Sequence, residues 1–409
     1  MATVDAEKKL QKRMLHWLVD DLGYTYLGNL EDIDNTPVKE DLLKANLKKR
    51  EYSDDQIKTA VSELLSKVNN QVDTLYQINR SVYSLLRYGR QGAKDANGRR
   101  QTVHYINWDD IGSNDFYVAE EVSVLRYDKV TRKRPDVVLY INGIALGVFE
   151  LKSSYVSAGK GIRQMLQNQK RENILNFFST AQFLFAGNEA EGLFYGTTDT
   201  PEKYYLKWKE DKKATDKLSA DVKLLQVKEV NRLRDGVISL CHKERFLSLI
   251  HDFVIYDAGI KKVTRHNQYF ANIAARKRIL ENEGGIIWNT QGSGKSLIIT
   301  CQSSTRGQKK CKQSVKVCVI ARFGTVARSV WLFWCRWCFG FLWFFWLFLK
   351  GNRLSLSSIS LCSVTFFGSS GLLKSYNSSK VTSCLPSREV ASRVKATSTF
   401  IVSLSAVNV

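Results

Sequence analysis

The chain has 409 residues, 44% of them apolar and only four of them proline, which excludes a disordered or collagen-like protein and allows two or three domains. A formal net charge of +21, from 61 Lys and Arg against 40 Asp and Glu, points to an anionic partner, most simply nucleic acid. That charge is unevenly spread: residues 1–300 carry a net of +7, whereas residues 301–409 carry 15 basic side chains and a single acid, Glu389.

Residues 5–20 set Leu10, Met14, Leu15 and Leu18 at helical spacing among charges and predict an amphipathic helix. Ser53-Asp54-Asp55-Gln56 has the form of a capping box ahead of a stripe of Ile57, Ala60, Val61, Leu64 and Leu65. A further helix is predicted over 72–88, ending near Gly89, and the polar residues 92–99 read as a loop. Beyond that loop the apolar period shortens from about 3.6 to about 2. Residues 117–125 and 136–141 predict strands, and Asn142-Gly143 predicts a type I′ hairpin turn, which needs positive φ at both central positions. The returning strand is 145–151, a helix follows over 157–170, strands over 181–185 and 193–197, and a charged helix over 210–231. Residues 1–210 therefore read as an α/β domain and 211–259 as a helical connector.

The chemistry concentrates between Arg134 and Ser154, in RPDVVLYINGIALGVFELKSS. Glu150 and Lys152 are two apart on one strand, so both side chains take the same face. A tight hairpin at Asn142-Gly143 puts position 136 opposite 149, within about one residue of Glu150, and a bulge would complete the alignment. Asp136 and Glu150 would then offer oxygen ligands to a hard cation such as Mg²⁺, with Lys152 placed to orient or deprotonate a water or to offset developing charge. A Pro-Asp followed by Glu-x-Lys is common by chance. What gives it weight is the setting, because carboxylates among Val137, Val138, Val148 and Phe149 are costly unless paired or metal-bound.

This segment resembles the PD-(D/E)xK nuclease fold, and in particular the restriction and motor (R) subunit of type I restriction enzymes, in its order of Arg-Pro-Asp, apolar strand, Asn-Gly and Glu-Leu-Lys. The resemblance implies an α/β nuclease core with a central mixed sheet flanked by helices, in which Asp136 and Glu150 bind Mg²⁺ and Lys152 stands beside them. It implies double-stranded DNA as substrate, and methylation and specificity subunits as partners. The family's Gln-x-x-x-Tyr motif falls on GIRQMLQNQK, which makes Gln164 a site-orienting residue and puts Asn168 at the tyrosine position. An acidic residue from the N-terminal helices joins some such sites, and the sequence does not single one out.

A second constellation follows Ile286-Ile287-Trp288, where Asn289-Thr290-Gln291-Gly292-Ser293-Gly294-Lys295-Ser296 has the form of a nucleotide-binding loop. Backbone amides of Thr290, Gly292, Ser293 and Gly294 would wrap phosphates, Lys295 would reach the β- and γ-phosphates of ATP, and Ser296 would meet Mg²⁺. Asn289 stands where the strict motif has glycine. By resemblance to the same R subunits, Gln268 is the adenine-contacting residue. Two motifs in the family's order, nuclease and then the truncated beginning of a RecA-like (P-loop) domain over 260–300, carry the resemblance across residues 1–300.

Residues 301–409 break the pattern. They hold seven of the eight cysteines and no Asp, so they offer no Asp-Glu box for ATP hydrolysis. WLFWCRWCFGFLWFFWLFL, residues 331–349, reaches transmembrane length, but Trp and Phe fill its middle rather than its ends. Out-of-frame translation is the preferred reading of this tail, over a membrane anchor or a low-complexity segment. The N-terminus lacks the apolar core of a signal peptide, one cysteine in the first 300 residues offers no disulfide framework, and scattered histidines offer no zinc spacing, so a cytoplasmic protein without a membrane partner is expected. Other readings remain open: a stand-alone repair nuclease–helicase, a membrane-anchored DNA-binding protein without catalysis, and a nonfunctional gene remnant.

Overall fold

Apolar side chains fill most successive positions of residues 137–151, a pattern that is stable only in strands covered on both faces. In the computed structural model, whose described residues are 2–94, 100–214, 216–281, 283, 286–289, 293–294, 317–322, 364–366 and 399–404, this run forms the centre of a seven-stranded sheet. The strands are β1 (Thr25–Asn29), β2 (Phe116–Glu120), β3 (Val137–Ile141), β4 (Ile144–Leu151), β5 (Phe183–Asn188), β6 (Gly192–Gly196) and β7 (Leu206–Lys207). Their order across the sheet is their order along the chain. The pairs β1–β2 and β4–β5 are parallel and the other four antiparallel, so the sheet is mixed. Every residue of β3 and β4 is buried.

The covering layers are helical: α1 (Ala2–His16), α2 (Glu40–Lys49), α3 (Asp54–Val68), α4 (Leu75–Tyr88), α5 (Ala158–Asn168), α6 (Lys217–Gln226), α7 (Arg232–Cys241) and α8 (Lys243–Phe253). On one face, Val138, Tyr140, Val148, Leu184 and Ala186 pack with Ile162 and Met165 of α5 and with Phe177 and Phe178. On the other, Phe149 stacks on Phe185 at 4.4 Å, and Phe246 of α8 meets Phe183 at 6.0 Å. Residues 211–259 thus supply helices that lie on the sheet. A hairpin of β8 (Val254–Asp257) and β9 (Ile260–Val263) follows them. The capping box forms as expected, with the Ser53 side chain accepting from Gln56 N and the Gln56 side chain returning to the Ser53 backbone.

The local differences from the sequence expectation have identifiable causes. The strand expected over 117–125 is broken at Glu121, whose φ is 49°, and its remainder, Val124–Leu125, pairs instead with Arg132–Lys133. Part of the loop expected over 92–99 is strand, since Arg90–Lys94 pairs with Arg100–Val103. Within 210–231 only α6 is helical, because the Asp216 side chain caps it by accepting from Ser219 N. The edge strands β1 and β7 carry no alternation to reveal them: β1 is exposed or half-exposed throughout and β7 is two residues long.

Residues Met1–His266 form one compact unit and Asn267–Val409 a second. The second unit takes up α9 (His266–Leu280), which starts at the boundary, and a four-stranded sheet. In that sheet β10 (Ile286–Asn289) runs parallel to β11 (Val317–Arg322), while β13 (Thr399–Leu404) runs antiparallel to both β11 and β12 (Val364–Phe366). Among the described residues no helix is long and apolar enough to cross a membrane, and residues 331–349 lie outside them.

Candidate active site

The hairpin of β3 and β4 positions the site. Asn142 and Gly143 take φ of 51° and 81°, the two left-handed positions that a type I′ turn requires. Gly143 is also sterically required, because a Cβ there would lie 2.6 Å from the backbone oxygen of Lys39. From this turn Ile141 pairs with Ile144 and Tyr140 with Ala145, but Leu139 pairs with Gly147, so a bulge takes up one residue. The register then runs through Val137 opposite Phe149, which brings Asp136, just before β3, level with Glu150.

Hydrogen bonds tie the two segments together. Asp136 Oδ2 accepts a hydrogen bond from the Leu151 backbone N–H at 2.5 Å. Lys152 Nζ donates to Glu150 Oε1 at 2.9 Å. Glu150 is 1% exposed, yet its second oxygen, Oε2, is buried with no hydrogen-bond partner. Burial raises the pKa of both carboxyls, and Asp136 raises that of Glu150 further while Lys152 pulls both down. For Lys152, burial works to lower the pKa, but Glu150 and then Asp136 raise it on balance, which keeps the ammonium protonated.

Two neighbours of this trio were not distinguishable in the sequence. Glu7 of α1 accepts the Ser153 backbone N–H at 3.2 Å and adds its charge to the field at Asp136 and Glu150. Glu121, at its left-handed position, is half-buried, and burial raises its pKa against a hydrogen bond from Gln11. The only sequence sign of Glu7 is an acid one turn from the apolar stripe of an N-terminal helix, a feature of most amphipathic helices.

Gln164 stands exposed on α5, and no hydrogen bond among the described residues joins it to Asp136, Glu150 or Lys152. The α5 residue that meets the site is Gly161, where a Cβ would lie 3.3 Å from Glu150 O and 3.5 Å from Glu150 Cγ. Asn168 is 1% exposed and its Oδ1 has no partner, so it points into the interior. In the second unit, the buried Gln268 donates from Nε2 to Ser293 O at 2.9 Å, and Gly294 takes φ of 81°. Thr290, Gly292, Lys295 and Ser296 lie outside the described residues.

Among the described residues no three His, Cys, Asp or Glu side chains are gathered into a ready metal cluster. Two carboxylates do converge, and the lone buried oxygen of Glu150 fits a hard cation, which is the group that would satisfy it.

Residues 6–203 match the family model described as type I restriction enzyme R protein N terminus. That stretch is therefore similar to the N-terminal region of type I R proteins. Residues 267–322 match the SWI2/SNF2 ATPase family, a match that runs past residue 300 and includes β11. The chain is 25% identical over 251 residues to the type I restriction enzyme HindI endonuclease subunit of Haemophilus influenzae, covering 58% of this chain and 23% of that protein. It is also 25% identical over 240 residues to a candidate type I restriction enzyme MjaIXP endonuclease subunit of Methanocaldococcus jannaschii, covering 53% of this chain and 22% of that protein. The chain therefore spans about a quarter of the length of these relatives. The first unit is an α/β fold with a mixed central sheet between helical layers, an architecture consistent with the nuclease core of the matched family.

Proposed function

We propose that the first unit is a Mg²⁺-dependent DNA endonuclease, and that the parent of this chain is the restriction subunit of a type I restriction–modification system. The observation that carries the proposal is the buried, unpartnered Oε2 of Glu150 level with Asp136 and beside Lys152. Asp136 and Glu150 would hold the cation, whose chemistry is to polarise the scissile phosphate and lower the pKa of a bound water. Two carboxylates suffice for Mg²⁺, which keeps several waters and takes phosphate oxygens of its substrate. The Leu151 N–H engages Asp136 Oδ2, which orients the carboxyl plane. Lys152, held protonated by its carboxylate neighbours, would offset charge developing on the phosphate rather than act as the base.

The double-stranded DNA substrate and the methylation and specificity subunits belong to this proposal, since type I enzymes supply the homology. ATP-driven translocation in the parent would use the loop at Thr290–Ser296, with Gln268 beside it, and the SWI2/SNF2 match supports a motor there. The deciding experiment is nicking of supercoiled plasmid in Mg²⁺ and in EDTA. Asp136→Ala is expected to lower the Mg²⁺-dependent rate by about 100-fold or more. An unchanged rate would sink the nuclease reading.

A further inference from the structure

Helix α1 grips the site twice from one face, through Glu7 and Gln11, which are four residues apart. Glu7 takes the Ser153 N–H, just beyond β4. Gln11 is 5% exposed, and its Nε2 donates to the backbone oxygen of Asp136 at 2.7 Å, just before β3. That same oxygen accepts the Glu121 backbone N–H at 2.9 Å, so Gln11 and Glu121 meet on one acceptor. Glu121 holds φ of 49°, a left-handed conformation that is costly for a non-glycine residue and persists only where its surroundings impose it. The last ladder pair between β2 and β3 is Glu120 with Val137, so Gln11 acts one step beyond the end of regular pairing. Without it, the peptide that carries the Asp136 side chain would be tied to its neighbours through fewer bonds at the point where the sheet stops.

We propose that Gln11 is a positioning residue: its amide fixes the Asp136 backbone against Glu121, and so sets the separation of the Asp136 and Glu150 carboxylates that a divalent cation needs. The inference rests on the metal-dependent reading above. Groups that orient metal ligands typically cost 10–100-fold in metal affinity when removed.

The test uses Mn²⁺ titrated onto the full chain and followed by electron paramagnetic resonance, beside thermal unfolding in EDTA and the Mg²⁺ dependence of plasmid nicking. Gln11→Leu, close in volume and without the donor, is expected to weaken Mn²⁺ binding about tenfold or more. Its Tm in EDTA is expected to fall by less than about 3 °C. The Mg²⁺ concentration for half-maximal nicking rises by the same factor as the Mn²⁺ dissociation constant. If Gln11→Leu does not fold, Gln11→Asn, whose amide stops short of the Asp136 oxygen, is held to the same expectation. Mn²⁺ affinity within twofold of wild type, whatever the change in Tm, overturns the positioning role and leaves the nuclease reading standing. A wild-type chain that binds no Mn²⁺ overturns both.

Discussion

Glu150 shows why this site is costly to the fold that carries it. A buried carboxyl beside a second one has its folded pKa raised above the unfolded value, so the folded chain binds more protons than the unfolded chain between the two. Metal-free stability from this group is therefore present below the ordinary carboxyl range near 4.3 and is lost as pH rises toward the folded pKa. Glu150→Gln removes that dependence. We expect its Tm in EDTA at pH 8 to exceed wild type by a few degrees, about 2–4 °C per kcal/mol relieved, while Mg²⁺-dependent nicking is lost. Calorimetry at pH 5 and pH 8 checks the sign, since the gain should shrink at the lower pH. Lys152→Met should have the opposite effect on the fold, because it leaves Glu150 Oε1 buried without its donor. At this scale Asp136, Glu150 and Lys152 were legible because a period of two fixes which side chains share a face. Glu7 and Gln11 were not, since a Glu and a Gln are ordinary in any amphipathic helix.

The hairpin is the element on which register depends. Asn142-Gly143 was readable because few residue pairs tolerate two positive φ angles, and the structure puts both there. Gly143→Ala is expected to destabilise the first unit by at least about 2 kcal/mol, measured by urea unfolding, since strain at positive φ adds to a clash with the Lys39 backbone. Ser53→Ala tests a milder device, the capping box of α3, and should cost about 1 kcal/mol in the same assay without changing nicking. The bulge between Leu139 and Tyr140 is a different case. The sequence showed only that one was needed to align position 136 with 150. Its place is chosen by packing on both faces, where Val138 and Val148 must meet α5 while Phe149 meets Phe185.

For the whole molecule, the division after His266 makes a direct prediction. Residues 1–266 expressed alone should unfold in one cooperative transition at the Tm of the corresponding transition in the full chain, as followed by circular dichroism. Residues 301–409 carry a net of +14, so their removal should weaken nonspecific DNA binding and flatten its salt dependence in a mobility-shift titration. An unchanged salt slope would show that the tail's charge does not reach DNA.

The sequence by itself determined the α/β class, the hairpin, the capping box and the shared face of Glu150 and Lys152, because each depends on interactions within a few residues. Only the tertiary structure decided that strand order follows chain order, that residues 211–259 lie on the sheet, and that α1 docks where Glu7 and Gln11 meet the ends of β3 and β4. Those contacts join positions far apart in the chain, 125 residues in the case of Gln11 and Asp136. They are settled by which apolar surfaces bury one another, a choice that local periodicity does not encode.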